Sequence, residues 1–435
     1  MKGKVVIAFL LLIFCTSNIT AEDIGGKRKI TTFGYKEDVD SSRLYDILHH
    51  NAPEDFRQPG VPAVAVVGKG GKFVVGLGGY IKAVAGFDIG HPIPSADEFI
   101  TSQIPMHPMD GDGTRFNLSA KQTHIFLNFV ALPGTGNEIG AFVSANFLND
   151  YLPTVQYAYL KYRGLKAGYD NTLFSDPACG APAVDYEGPC SNTASPVAGI
   201  SYSYEPHPHG RWLTALGFEL PRASFTTVAN KTRQVYQRIP DIPIAGKFSW
   251  NDDNSWVRVS AMFRNLTYRE ISETKNHNKF GYGLQLSGAI NFLEKLTFYY
   301  QGAWGRGIAS MLQDAEGEGL DLTPSKNGNS LITPMIWGGF GSLLYEISRK
   351  FSCSVTYSQM RAYVPFYEVS AAESDEGTME WNDMYKYTQY VSANVFFQAT
   401  SFFNVGIEHI WGRRVNQNGM KCGDNRIQIA FQLAF

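Results

Sequence analysis

The pattern of apolar and polar positions is clearest in the last ten residues of the chain, RIQIAFQLAF. One parity of this segment is apolar throughout and comprises Ile427, Ile429, Phe431, Leu433 and Phe435. Because side chains alternate across a strand, the segment has one apolar face and one face of small or polar residues. A soluble core and a lipid bilayer both accept such an apolar face, so the segment alone predicts only a strand.

The same alternation recurs along most of the chain, first at Lys72–Gly90 and almost without interruption at Phe280–Phe292. We count about 16 such segments, each near the 9–11 residues that a tilted transmembrane strand needs. Short turns (KGGK, NDDN, LEKL, SRK and QATS) alternate with loops of roughly 13–25 residues, an asymmetry typical of transmembrane barrels. Sandwiches and propellers have no reason to place every long loop at one end.

The face opposite the apolar parity is rich in Gly, Ala, Ser, Asn and Gln and carries few charges, which suits a wet, crowded lumen. The sequence therefore predicts an all-β protein, a transmembrane antiparallel β-barrel of about 16 strands over residues 61–435. A barrel of that size leaves an aqueous channel. The predicted pore-lining charges are Lys82, Lys166, Arg258, Arg264, Lys386 and Arg426.

The amino terminus has the features of a cleaved secretory signal over residues 1–21. Lys2 and Lys4 precede an apolar run of about ten residues, and small and polar residues then end at Ala21. The run is too short to cross a bilayer as a helix, and no later segment has 18 consecutive apolar residues. Export through a cleaved signal and insertion into a bacterial outer membrane are therefore expected.

Residues 22–60 form a polar segment that we expect in the periplasm. Within it, Ser41–Asn51 has Leu44, Ile47 and Leu48 at helical spacing, which predicts one short helix. Two alternatives remain open at this point: a disordered leader, or a helix that associates with copies of itself.

Charge and motif content exclude several classes of function. Loss of Lys2 and Lys4 leaves 36 of the 38 basic residues against 40 acidic ones, and this near balance argues against a nucleic-acid partner. The chain contains no G-x-S-x-G, H-E-x-x-H or P-loop motif, so no enzymatic activity and no cofactor are predicted. His207 and His209 stand in an HPHG turn without adjacent ligands, and we interpret them as a turn rather than a metal site.

One loop, 175–196, is long enough to be either functional or disordered. Its acidic residues are Asp176, Asp185 and Glu187. It also holds Cys179 and Cys190, and because disulfides persist in exported proteins, we predict that these two cysteines are bonded.

Several segments, in their order and spacing, resemble the trimeric outer-membrane porins of the DcaP-like type. They are GGYIKAVAGFDIG, DEFITS, RFNLSAKQTHIFLNF, YAYLKYRGLKAGYDNTLF and VDYEGP. The similarity runs from about Phe56 to Phe435 and is most specific between residues 72 and 190. It implies a trimer of 16-stranded barrels, a third loop (here 175–196) folded inward, and passive uptake of small, often anionic, solutes. It also implies that the barrel-assembly machinery recognises the terminal Phe435.

These observations predict a porin for small hydrophilic solutes, embedded in membrane lipid and lipopolysaccharide. Its wall charges are mostly basic, which favours anions such as small carboxylates, whereas cation selectivity would mean that the acidic loop dominates. The alternative is a non-conducting barrel that serves as a surface adhesin or structural protein. Such a barrel would have aromatic, apolar long loops, and the loops here are mostly polar.

Overall fold

A computed structural model gives the fold of the chain. It describes residues 30–34, 41–54, 62–107, 113–193, 195–206, 211–272, 275–368 and 379–435. The predicted signal at residues 1–21 and the HPHG turn with His207 and His209 lie outside the described residues.

Sixteen antiparallel strands close into a barrel, as the alternation predicts. They are β1 (Phe73–Gly90), β2 (Thr114–Ser119 and His124–Ala131), β3 (Ile139–Asn149), β4 (Leu152–Tyr162), β5 (Leu165–Asn171), β6 (Pro196–Tyr204), β7 (Trp212–Glu219), β8 (Ile242–Trp250), β9 (Ser255–Glu270), β10 (Lys275–Leu293), β11 (Leu296–Arg306), β12 (Met335–Ser348), β13 (Phe351–Tyr363), β14 (Tyr385–Gln398), β15 (Phe403–Asn416) and β16 (Lys421–Ala434). β2 is interrupted at residues 120–123.

The first and last strands meet and close the barrel. β16 pairs antiparallel with β1, from Asp424 opposite Gly90 to Ala434 opposite Tyr80. The apolar parity of β16 points away from the lumen, because Ile427 is 51% exposed and its neighbours on the opposite parity are buried. The antiparallel barrel that the sequence predicts is confirmed.

Two short strands and a helix precede β1. The strand Thr31–Gly34 pairs in parallel with Val64–Val67, and the helix, α1 (Ser41–Asn51), packs against the inner face of the barrel. The strand Val64–Val67 continues antiparallel onto β1. No helix among the described residues is long and apolar enough to cross a membrane.

The remaining elements are short. They are the strands Thr232–Gln234, Thr323–Pro324 and Leu331–Ile332 and the 3₁₀ turns Lys69–Gly71, Thr101–Gln103, Ala309–Met311, Gln313–Ala315 and Trp381–Asp383.

The two ends of the barrel differ. Turns such as 251–254, 294–295 and 349–350 join strands at one end, which we call the short-turn end. At the opposite, long-loop end, residues 307–334 fold into the barrel and pack an apolar cluster against the wall. This cluster includes the loop residues Ile308, Leu312 and Leu320 and the wall residues Met262 and Met360.

Candidate pore constriction

The loop between β5 and β6, described at residues 172–193 and 195, crosses the lumen and is called the constriction loop below. It contacts widely separated parts of the wall. Its anchoring contacts join Cys179 Sγ to the Tyr300 carbonyl (3.2 Å), Asn394 Nδ2 to the Pro182 carbonyl (2.9 Å), and Gln156 Nε2 to the Tyr186 hydroxyl (2.6 Å). The loop is thus fixed to β11, β14 and β4.

Asp176 holds the first part of this loop to the wall. Its Oδ2 accepts hydrogen bonds from Trp256 Nε1 (2.9 Å) on β9 and from the Ser287 hydroxyl (2.8 Å) on β10. The residue is 1% exposed. Its carboxylate therefore anchors the loop and is shielded from solvent.

Asp185 has the same kind of role farther along the loop. It accepts hydrogen bonds from the backbone N–H groups of Phe99 (2.9 Å) and Gly188 (3.1 Å) and from the Tyr390 hydroxyl (3.3 Å). Burial, assisted by the nearby carboxylate of Glu408, raises the pKa of Asp185 to about 7. Glu187, the third predicted constriction acid, is half-buried.

Glu408 on β15 binds the backbone in the middle of the constriction loop. The sequence did not predict this role. Its carboxylate accepts four hydrogen bonds. The donors are Val184 N (3.1 Å), Asp185 N (2.8 Å), Gln428 Nε2 (2.9 Å) and Asn394 Nδ2 (3.0 Å). Lumen parity was its only sequence signal, and that signal does not show which backbone a side chain will meet.

The predicted disulfide between Cys179 and Cys190 is wrong, because both thiols are free in the structure. Cys179 lies against β10 and β11, whereas the Cys190 thiol contacts the Ser358 hydroxyl (3.1 Å) on β13. The loop extends across the lumen, and its two cysteines contact separate parts of the wall.

Two of the predicted wall cations also hold the constriction loop. Lys82 Nζ donates to the Val184 carbonyl (2.9 Å), and Arg258 Nη2 donates to the Leu173 carbonyl (2.7 Å). Both residues lie on the lumen side and are buried, at 8% and 6% exposed. They fix the backbone of the loop rather than line an open passage.

Arg264 and Arg426 face inward as predicted, but buried carboxylates neutralise both. Arg264 pairs with Asp241 (Nε–Oδ2 3.0 Å) and with Asp321 (Nη1–Oδ1 3.0 Å). Arg426 pairs with Asp88 on β1. Neither side chain therefore offers free charge to the lumen.

Lys386 is not on the lumen face, which corrects its prediction as a pore-lining residue. A bulge between Tyr385 and Tyr387 shifts the register of β14, and Tyr385 takes the inward position, where its hydroxyl donates to the Met360 carbonyl (3.1 Å). Lys386 instead lines a cleft with Arg361 and Tyr363, which point outward because Met360 and Ala362, on the opposite parity of their strand, are buried.

Basic side chains lie on the lumen face near the short-turn end. There Lys161, Lys166 and Lys247, which we call the lysine cluster, share the lumen face with Arg258. Lys166 forms an ion pair with Asp170, and Lys247 Nζ lies 3.6 Å from Glu54 Oε1. The lysine side chains in these two pairs are 31% and 17% exposed, so this cluster meets solvent.

Only Lys166 and Arg258 of this group were predicted from the sequence. Lys161 and Lys247 lie on the lumen parity of β4 and β8, close to the turns. The same alternation could therefore have identified them. Among the described residues, no group of three His, Cys, Asp or Glu side chains converges to bind a metal ion.

Comparison with known proteins supports the fold. No family model and no curated protein matches the sequence. Among solved structures, the chain is similar to the outer membrane channel DcaP of Acinetobacter baumannii, with a TM-score of 0.69 and 15% identity over 85% of this chain and 99% of that one. A trimer form of OmpT, an outer membrane protein of Vibrio cholerae, has a TM-score of 0.50 at 10% identity, over 83% of this chain and 99% of that one. The predicted resemblance to DcaP-like porins is confirmed at the level of the fold.

Proposed function

We propose that the protein is a trimeric outer-membrane porin through which small hydrophilic solutes diffuse, with a preference for anions such as small carboxylates. The fold supports a channel, and the lysine cluster supports the charge preference. Lys166 and Lys247 pair with the carboxylates of Asp170 and Glu54, whereas Lys161 Nζ donates to the carbonyl groups of His50 and Asn51, so the cluster holds three ammonium groups against two ion-paired carboxylates. Low-dielectric walls focus such a field onto solutes in the channel.

The lysine cluster is the observation that carries the charge preference, because its lysine side chains are partly exposed whereas the other inward charges are buried. Asp176 and Asp185 are buried within the constriction loop, and Arg264 and Arg426 are paired with buried carboxylates. Selectivity then depends on those charges that solvent can reach. We propose no catalytic role.

The proposed setting is the outer membrane, reached through a cleaved signal and the barrel-assembly machinery, with the short-turn end toward the periplasm. Exposed apolar side chains such as Ile427 and Phe431 would face lipid. The outward cleft with Arg361 and Lys386 lies at the long-loop end, where lipopolysaccharide phosphates would meet it. A homotrimer is proposed on the likeness to trimeric barrels.

Planar-bilayer recording of the purified protein tests the proposal. We expect stepwise conductance in units of three and, in a tenfold KCl gradient, a reversal potential of the sign set by chloride. A folded protein without conductance would contradict the porin function. A reversal potential of the opposite sign would contradict only the anion preference.

One observation favours a second candidate, a non-conducting barrel with an adhesive or structural role. The apolar cluster around Leu312 and Met360 fills part of the lumen at the long-loop end, as a plug would. The same recording decides between the two candidates, because a plugged barrel remains silent although it is folded.

A further inference from the structure

The segment that precedes the barrel enters the lumen at its short-turn end. Asn51, the last residue of α1, donates through Nδ2 to Asn128 Oδ1 (2.7 Å) on β2 and to the Ala141 carbonyl (3.1 Å) on β3. In return, Asn128 Nδ2 donates to the Leu48 carbonyl (2.7 Å). These partners lie on the inner face of the wall, so the end of α1 lies inside the barrel.

Apolar packing holds α1 in this position, and a glycine on β3 leaves room for it. Leu44 and Leu48 are fully buried in a cluster with Val74 of β1 and Val130 of β2. At Gly140, a Cβ atom would overlap the Asn51 side chain, so glycine permits the close approach. The helix is therefore a fixed support for the residues that follow it.

Three residues after α1, Glu54 reaches the lysine cluster. Its Oε1 lies 3.6 Å from Lys247 Nζ, and its side chain is 56% exposed. The positive charge of Lys247 lowers the pKa of Glu54, and Arg258, Lys166 and Lys161 act in the same direction. Glu54 therefore remains ionised at neutral pH.

The two partners of this ion pair differ in how firmly they are held. Lys247 belongs to a strand of the wall, whereas Glu54 lies beyond the end of a helix and is more than half exposed. Ion pairs with that much exposure are weak and screened by salt. A dissolved carboxylate can therefore exchange with the Glu54 carboxylate.

We propose that Glu54 is a tethered counter-ion that occupies the lysine cluster and competes there with the carboxylates of solutes. This role rests on the proposed porin function, and Glu54 would control the access of solutes to the lysine cluster. A group on a short tether has an effective concentration on the order of millimolar. Carboxylate solutes at low concentration are therefore excluded from the lysine cluster, whereas solutes at high concentration displace Glu54 from it.

The test compares E54Q with wild type and with the matched control E294Q, which removes an exposed carboxylate from the turn between β10 and β11. Two measurements are made on each purified trimer: calorimetric titration with succinate at low salt, and reversal potential in a KCl gradient. We expect E54Q to bind succinate about 3–10-fold more tightly and to raise the chloride-to-potassium permeability ratio. E294Q should behave as wild type, and K247Q should reduce the effect of E54Q.

Different results overturn different claims. If wild type conducts and prefers chloride but E54Q matches it in both measurements, the tethered counter-ion is wrong and the porin function stands. An equal gain in E294Q would also overturn it, because the effect would then be a general loss of negative charge. If folded wild type neither conducts nor binds succinate, the porin function fails and the inference fails with it.

Discussion

Arg426 of the last strand and Asp88 of the first strand form an ion pair across the seam of the barrel, with Nε–Oδ1 at 2.5 Å and Nη2–Oδ2 at 3.1 Å. Both side chains are fully buried. The two residues lie directly opposite each other on β16 and β1, so the ion pair joins the last and first strands on the lumen side. Arg426 also donates to the carbonyl groups of Ser95 (2.8 Å) and Ala96 (3.2 Å), which holds the loop after β1.

Removal of one partner of this pair should destabilise the barrel strongly. R426Q leaves Asp88 buried with less compensation, and such changes cost about 3–5 kcal/mol. The measurement is the urea concentration at which the folded barrel, seen on a gel of unboiled samples as a band separate from the unfolded chain, disappears. The double variant D88N/R426Q, which removes both charges, should recover part of the loss. Wild-type resistance of R426Q would show that the seam does not depend on the pair.

The lipid-facing parity of β16 predicts that charge is harmful on one face and tolerated on the other. I429R places a cation toward the bilayer, at a cost of about 2–4 kcal/mol near the midplane, and should reduce the yield of assembled barrel. Q432R is the matched control, because Gln432 lies on the lumen parity of the same strand and is half-buried. Equal yields of the two variants would contradict the assignment of faces.

The alternation of residues predicted the barrel well because parity is a local property of a strand. It identified β16 and the inward positions of Arg264 and Arg426. It could not predict their partners, since Asp321 approaches Arg264 from a loop 57 residues away. It misplaced Lys386, because one bulge reverses the face of a residue without changing the composition around it.

Protonation of Asp185 should couple stability to pH. Its pKa is raised to about 7, whereas an unfolded aspartate titrates near 3.9. Between these values the folded protein binds a proton that the unfolded chain lacks, so this residue's contribution to stability falls as pH rises toward 7. D185N keeps an acceptor oxygen and removes the titration.

The measurement is the urea midpoint of wild type and D185N at pH 5 and pH 8. We expect the advantage of D185N over wild type to be larger at pH 8, where the buried carboxylate of wild type is charged beside Glu408. A difference between the two proteins that does not change with pH would contradict this account.

The free thiols of the constriction loop predict that reductant is irrelevant to function. Alkylation after denaturation should modify Cys179 and Cys190 equally with and without prior reduction, as read by peptide mass. In the native protein both should resist alkylation, since they are 1% and 0% exposed. Recovery of an oxidised peptide that links the two cysteines would overturn the observed position of the loop.

The central claim is a channel whose charge preference comes from the lysine cluster. Its most direct test is the reversal potential of wild type and of K166Q/K247Q across a planar bilayer in a tenfold KCl gradient. The account predicts chloride preference in wild type and a clear shift toward zero, or past it, in the double variant. Potassium preference in wild type, or an unchanged potential in the variant, would contradict it.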